Sequence, residues 1–258
     1  GEAAVTTRGV SGSAHGAHGK PAAAAAGTDG GAALLGRVTQ VRVGKVRAWG
    51  TGLDEGGSAE RVWHSGIGTD PVSGAVPVYR EGLAGDEQAD RKHHGGPEKA
   101  VFVYPVEHYA LWRAELDLPE IGPGGFGENL VLAGCDETEI CLGDVVRIGE
   151  LEAQVSQPRR PCWKPARRWG VKDLAVRIQA TGRTGWYLRV RRPGAVAAGN
   201  TVELLERPFP AWSVAGATAV MYNRRHDVAA ARELAAVPDL PRSWRADLEK
   251  TIRAAEEK

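Results

Sequence analysis

A single cysteine, Cys162, sits in the run Ser156-Gln157-Pro158-Arg159-Arg160-Pro161-Cys162-Trp163-Lys164-Pro165-Ala166-Arg167-Arg168-Trp169-Gly170. The run carries five basic residues and no acidic one. A thiol with cations beside it ionises more easily than its usual value of about 8.5 allows, and the thiolate is the form that attacks electrophiles and binds metals. Pro161 and Pro165 restrict the backbone on both sides, so the segment reads as a loop that holds one sulfur in place. The plain structural alternative is a buried cysteine in a basic surface loop, since free cysteines commonly serve as small core hydrophobes.

A second stretch with chemical content is Asp90-Arg91-Lys92-His93-His94-Gly95-Gly96-Pro97-Glu98-Lys99-Ala100. Paired glycines let backbone N–H groups approach an anion, and a neighbouring histidine adds a donor. Without such a ligand, the stretch is a polar turn before a strand. Asn129, between the Gly/Pro-rich segment 119–127 and a strand, can aim its amide at a ligand or simply satisfy a turn. Arg91 and Arg189 are weaker candidates, because surface arginines more often form ion pairs.

Several elements must position these groups. Val38–Val43 alternates as a strand, and Lys45–Trp49 continues it or pairs with it. Segment 65–71 is turn-rich, and a short strand lies around Pro77. The apolar run Ala100–Tyr104 reads as another strand. After Pro105, Tyr109, Trp112 and Leu116 share one helical face. A strand spans Leu130–Ala133, and a tight hairpin at Gly149-Glu150 joins Asp144–Ile148 to Leu151–Val155. The second arm of that hairpin delivers the chain to the cysteine loop. Val171–Ala180 reads as a helix, Trp186–Val190 and Thr201–Leu205 as strands. Beyond Pro208 the pattern is helical, with Ser213 and Asp227 as N-caps and a third helix from about Pro241. The fold class is therefore mainly β with some α. Its organisation is a low-complexity extension over 1–33, a β domain over 34–207 and a three-helix appendage over 208–258. His15 and His18 in the extension read as solvated tail rather than metal ligands.

Bulk properties set limits. A net charge of +1 gives no global field for nucleic acid, so any anion preference must be local. The basic run also lacks the aromatic series of single-strand binders, apart from Trp163 and Trp169. No apolar run approaches the ~20 residues of a membrane span. Three cysteines (Cys135, Cys141, Cys162) are too few for a disulfide framework or a four-thiolate cluster, which points to a reducing, cytoplasmic setting.

Taken together, these segments carry a resemblance. From about Lys45 to Lys250 the chain resembles the YiiM-like branch of the MOSC-domain family, named for the C-terminal part of molybdenum-cofactor sulfurase. The matching residues are Gly82-Leu83-Ala84-Gly85-Asp86-Glu87-Gln88-Ala89, His94-Gly95-Gly96-Pro97-Glu98-Lys99-Ala100, Phe126-Gly127-Glu128-Asn129-Leu130, Ile148 and Val155–Arg159. Pro161-Cys162, Lys164, Gly185-Trp186, the Pro193-Gly194 turn and Pro241-Arg242-Ser243-Trp244 follow in order. The resemblance implies a MOSC-type β-barrel with a C-terminal three-helix domain, binding molybdenum cofactor, a pterin dithiolene that carries a phosphate. It implies Cys162 as catalytic residue and molybdenum ligand, and His94, Gly95, Gly96, Asn129, Arg159 and Lys164 around the cofactor. The implied activity is reduction of N-hydroxylated compounds, such as N-hydroxylated purine bases, with electrons from a separate reductase. Thr69 departs from the family, which has a basic residue there. The alternatives are a sulfur carrier using a Cys162 persulfide and a non-catalytic anion- or cofactor-binding module. The three-helix tail could serve as a homodimer contact or as a docking surface for the electron donor.

Overall fold

The structure, a computed structural model, describes residues 32–50, 62–87 and 95–257. Most of the extension expected over 1–33, together with Arg91, His93 and His94, lies outside the described residues. In chain order the strands are β1 (Ala33–Gly44), β2 (Arg47–Trp49), β3 (Trp63–Ser65), β4 (Thr69–Val72), β5 (Val76–Tyr79), β6 (Gly82–Leu83), β7 (Val101–Pro105), β8 (Leu130–Ala133), β9 (Val145–Ile148), β10 (Leu151–Pro158), β11 (Trp186–Arg192), β12 (Gly194–Val196) and β13 (Thr201–Glu206). The helices are α1 (Glu107–Leu116), α2 (Trp163–Trp169), α3 (Leu174–Thr181), α4 (Val214–Thr218), α5 (Val228–Ala235) and α6 (Arg242–Glu256). A 3-10 turn spans Pro97–Lys99, and a π-turn, Ala219–Asn223, extends α4.

Seven strands close into a barrel in the order β13-β9-β10-β11-β7-β8-β1, sealed by the antiparallel pairing of β1 with β13. Among the described strands only the β7–β8 pair is parallel. The long β1 pairs with β13 at its start and with β8 and β4 further on, and its register shifts at Leu34/Gly36 and Val38/Gln40 are the bulges that let it bend round the corner. The expected hairpin is present, with Ile148 opposite Leu151 across Gly149-Glu150.

Alternation along the strands sorts the core into two clusters. Val101 and Val103 of β7 point inward with Val38, Leu130, Val146, Val155 and Leu188, whereas Phe102 and Tyr104 point outward. There they join Tyr109 and Trp112 of α1, Phe126, Tyr187 and Leu174 of α3. With both faces covered, β7 is an unbroken apolar run.

The C-terminal helices begin as their caps direct. Ser213 Oγ accepts from the Gly216 N–H at 3.0 Å and Asp227 Oδ1 from the Ala230 N–H at 3.0 Å. Val214 and Val220 from α4 and its π-turn, Leu234 of α5, and Trp244 and Leu248 of α6 belong to the same buried cluster as the barrel interior. Among the described residues no helix is long and apolar enough to cross a membrane.

Two segments differ from expectation. The cysteine loop is short, because α2 begins immediately after Cys162; Pro165 falls in its first turn, where a missing N–H breaks no bond. Segment 69–72 is a strand, not a turn: Pro71 sits in β4, which pairs only with β1 and so lies on an edge, where proline is tolerated.

Candidate active site

Cys162 is the N-cap residue of α2, extended at φ −131° and ψ 174°, four residues beyond the end of β10 at Pro158. It lies on the wall of a narrow, half-open cleft of about 70 Å³. Five segments build that wall: Ser65-Gly66-Ile67 after β3, Asp86, Lys99 at the end of the 3-10 turn, Phe126-Gly127 with Asn129, and the Arg159–Lys164 segment. Phe102 of β7 and Tyr187 of β11 add two aromatic rings from the outer core.

The backbone around the cleft is tightly constrained. A Cβ on Gly44 would lie 2.1 Å from the Gly66 carbonyl oxygen, and one on Gly66 would lie 2.2 Å from that of Glu87. Three chain segments therefore meet at van der Waals contact behind the wall. On the opposite side, the buried Glu128 accepts from the Phe126 N–H at 3.0 Å, from the Gly124 N–H and from the Tyr109 hydroxyl. These bonds fold the Gly/Pro-rich loop so that Phe126 and Gly127 face the cleft.

The five cations of the basic run have separate destinations. Arg159, buried, donates from Nη2 to Cys162 Sγ at 3.7 Å and lies 5.4 Å over the Phe102 ring. Lys164, also buried, lines the cleft. Arg168 ties α2 to both walls by donating to the Ile67 carbonyl at 3.0 Å and to that of Gly124. Arg160 turns away to pair with Asp247 of α6 and lie 5.3 Å over Trp244. Arg167 lies 5.9 Å from the Trp63 and Trp163 rings alike.

The remaining candidates divide. Asn129 stands at the cleft, but its side chain is largely committed: Oδ1 accepts from the Phe102 N–H at 3.0 Å, and Nδ2 donates to the Arg42 carbonyl at 3.4 Å. Gly95 does not line the Cys162 cleft. It borders an adjoining hollow of about 470 Å³ with Gln157, Arg189 and Arg242, and Lys99 belongs to both spaces. Gly96, at φ 93°, leads into the 3-10 turn that carries Lys99. Arg189 is engaged by Glu98, Gln154 and the Asp239 carbonyl. Thr69 is buried against Arg42, its Oγ1 accepting from Arg42 Nε at 3.2 Å.

Asp86 is a site residue that composition and spacing do not reveal. Its Oδ1 accepts from the Gly44 N–H at 2.6 Å. Burial raises its carboxyl above the ordinary value of 3.8, against the lowering pull of that bond, of Asn129 and of Lys45. Among the described residues, no group of three or more His, Cys, Asp or Glu side chains gathers as a metal cage.

The structure is thus a closed barrel with helices at its C-terminal end, bearing a cleft lined by one thiol and two buried cations, Arg159 and Lys164. The family model described as "MOSC domain" matches residues 90–203, and "YiiM-like, 3-alpha helix domain" matches 212–253. The chain belongs to the MOSC-domain family, in the branch carrying the YiiM-like three-helix domain. Uncharacterized protein YflK of Bacillus subtilis is 44% identical over 186 residues, covering 72% of this chain and 84% of its own. A Gibberella moniliformis protein named "Reductase" is 37% identical over 186 residues, 69% of this chain but 31% of that longer one. The crystal structure of YiiM from Geobacillus stearothermophilus superposes with a TM-score of 0.69 at 33% identity, covering 84% of this chain and 99% of that one.

Proposed function

We propose that the protein is a molybdenum-cofactor-dependent oxidoreductase that reduces N-hydroxylated compounds, N-hydroxylated purine bases among them, with electrons from a separate donor protein. The observation that carries this reading is the Cys162 sulfur held 3.7 Å from the Arg159 guanidinium on the wall of a cleft also lined by Lys99 and Lys164. A lone soft sulfur among fixed cations suits a cofactor that brings a soft metal, its remaining donors and a phosphate. The family and the fungal relative's name, "Reductase", support the same assignment.

When bound, the cofactor supplies the two-electron centre for cleaving the N–O bond. Overall, R–NHOH gains two electrons and two protons and leaves as R–NH2 and water. Cys162 would be the chain's metal ligand. Arg159 fixes the sulfur's position and balances its charge, while Lys164 and Lys99 offset the cofactor's anionic groups. Asp86, whose side chain lines the same cleft, would supply one proton to the departing hydroxyl.

The test is molybdenum and pterin content of protein made in a cofactor-competent host. Near-stoichiometric molybdenum that disappears in Cys162→Ala is the expected result. Equal metal in both proteins would remove Cys162 from its role. A labile sulfur on Cys162 with no bound pterin would instead favour the persulfide carrier.

A further inference from the structure

The hollow of about 470 Å³ beside the Cys162 cleft lies where the barrel meets the C-terminal helices. The barrel contributes Glu98 and Lys99 from the 3-10 turn, Gln157 from β10 and Arg189 from β11. The rest of the lining is segment 238–243, the approach to α6 and its first two residues. The space exists only because the two parts meet, and two independent observations point to a ligand in it.

Gln157 is completely buried, yet its Oε1 receives no hydrogen bond, and its Nε2 reaches only the Pro158 carbonyl at 3.5 Å. A buried acceptor left unpaired is costly, so this one calls for a donor from the hollow it lines. The second observation is the start of α6, where no side chain caps the helix and the N-cap residue is Pro241, which has no N–H. The Trp244 and Arg245 N–H groups bond the Pro241 carbonyl at 3.0 and 3.1 Å. The Arg242 and Ser243 N–H groups, at the hollow, are left without an intrahelical partner. Fifteen helical residues place partial positive charge at that end, and the exposed Arg242 side chain adds a full one. The carboxylates of the lining are already engaged: Glu98 accepts from Arg189, and Asp239 accepts from Gln154 Nε2 at 3.1 Å. A ligand that satisfies the whole lining carries an anionic group for the helix end and hydroxyl donors for the acceptors. Phosphate is the anion that helix N-termini hold best, and sugar hydroxyls suit an amide oxygen.

We propose that this hollow binds a phosphorylated sugar, its phosphate on the N-terminus of α6 and Arg242, and one sugar hydroxyl donating to Gln157 Oε1. The three-helix domain then supplies half of a ligand site that the barrel cannot form alone. Binding there needs no cofactor and does not rest on the reductase reading. Lys99 lines both spaces, so the bound ligand lies next to the Cys162 cleft.

Calorimetric titration of the full chain with ribose 5-phosphate, ribose and inorganic phosphate tests it. Ribose 5-phosphate should bind more tightly than either of its parts. Arg242→Ala should weaken it about 10-fold or more, the effect of losing a charge-assisted hydrogen bond. Gln157→Leu, which keeps the bulk and removes the acceptor, should weaken it about 5-fold and leave inorganic phosphate unchanged. No binding by wild type, ribose binding as tightly as ribose 5-phosphate, or an unchanged ribose 5-phosphate affinity in either variant overturns the proposal. Thermal melts will show whether the variants fold; if Gln157→Leu does not, the surface change Arg242→Ala and the three-ligand comparison decide. Molybdenum cofactor also carries a phosphate, so the titration is repeated on protein made in a cofactor-competent host. Equal affinity in loaded and unloaded protein is expected. Binding abolished by loading, with molybdenum lost from Arg242→Ala, would give the hollow to the cofactor and overturn a separate site. Protein that takes up no molybdenum counts against the reductase reading alone, and the titration of that protein still decides the hollow.

Discussion

Arg159 donates to the Cys162 sulfur at 3.7 Å while the face of the same guanidinium lies 5.4 Å from the centre of the Phe102 ring. The backbone sets this geometry: the Arg159 N–H bonds the Gly185 carbonyl at 3.1 Å, extending the pairing of β10 with β11 to the edge of the cleft. A planar fork held between a ring and a sulfur is not replaceable by a flexible ammonium. A charge-assisted hydrogen bond contributes ~1.5–3 kcal/mol, which corresponds to about 10- to 150-fold in affinity. Arg159→Ala should therefore retain far less molybdenum after gel filtration than wild type, and Arg159→Lys should fall between. Equal retention in all three, by elemental analysis, would show that Arg159 does not hold the cofactor.

The three thiols should differ sharply in reactivity. Burial, aided by nearby carboxylates, pushes the Cys135 thiol far above the ordinary range, and burial with Asp144 pushes Cys141 up to about 11. Cys162 alone is partly exposed. Iodoacetamide at pH 8 should add one carbamidomethyl group per native chain, on Cys162, and three after denaturation. Early labelling of Cys135 or Cys141, read by peptide mass spectrometry, would contradict their packing.

Asp86 gives a pH signature. Its carboxyl is raised in the fold, chiefly by burial, so the folded chain binds that proton more tightly than the unfolded chain. Its contribution to stability is fully present below the ordinary value of 3.8 and is lost as pH rises through the folded value. Asp86→Asn removes this dependence, so its stability relative to wild type should improve between pH 4 and pH 7 in urea titrations. Activity should follow the same proton. If Asp86 is the donor, rate falls as pH rises through its folded value, and Asp86→Asn lowers kcat by about 100-fold or more while flattening that limb. A variant with wild-type kcat would end the assignment.

How much of this was legible in the sequence depended on whether the signal was local. The Ser213 and Asp227 caps and the Gly149-Glu150 hairpin were readable because each is a bond or turn between near neighbours. Cys162 and Lys164 were readable from one basic run. Helix α2 was not, since Pro161 and Pro165 suggested a loop unless Pro165 was placed in a first turn. Asp86 was hidden for another reason: its environment comes from Gly44, 42 residues earlier in the chain, and Asn129, on a separate strand approach. Asn129 lines the cleft, as its place before a strand suggested, with its amide already bonded to the chain. Its type suggested a ligand donor, but the fold spends that amide mainly on Phe102 and Arg42.

The link between the barrel and the C-terminal helices should be the point most sensitive to loss of one charge. Asp144, at the start of β9, is fully buried. It receives Arg207 Nη2 at 2.7 Å and Nε at 3.0 Å, together with the Cys141 N–H at 2.9 Å. Arg207, just beyond β13, also donates to the Glu139 carbonyl at 2.8 Å. Replacing it with alanine leaves a buried carboxylate with one backbone donor, and breaking such a pair costs ~3–5 kcal/mol. Because burial already raises the Asp144 carboxyl, acid should protonate it once its partner is gone and relieve the penalty. Urea unfolding of Arg207→Ala should show a loss of about 3 kcal/mol at pH 7 and a smaller loss at pH 5. Asp144→Asn/Arg207→Ala should recover part of the difference at pH 7. A penalty identical at both pH values would mean that lost packing of the arginine stem, rather than the stranded charge, controls stability at this junction.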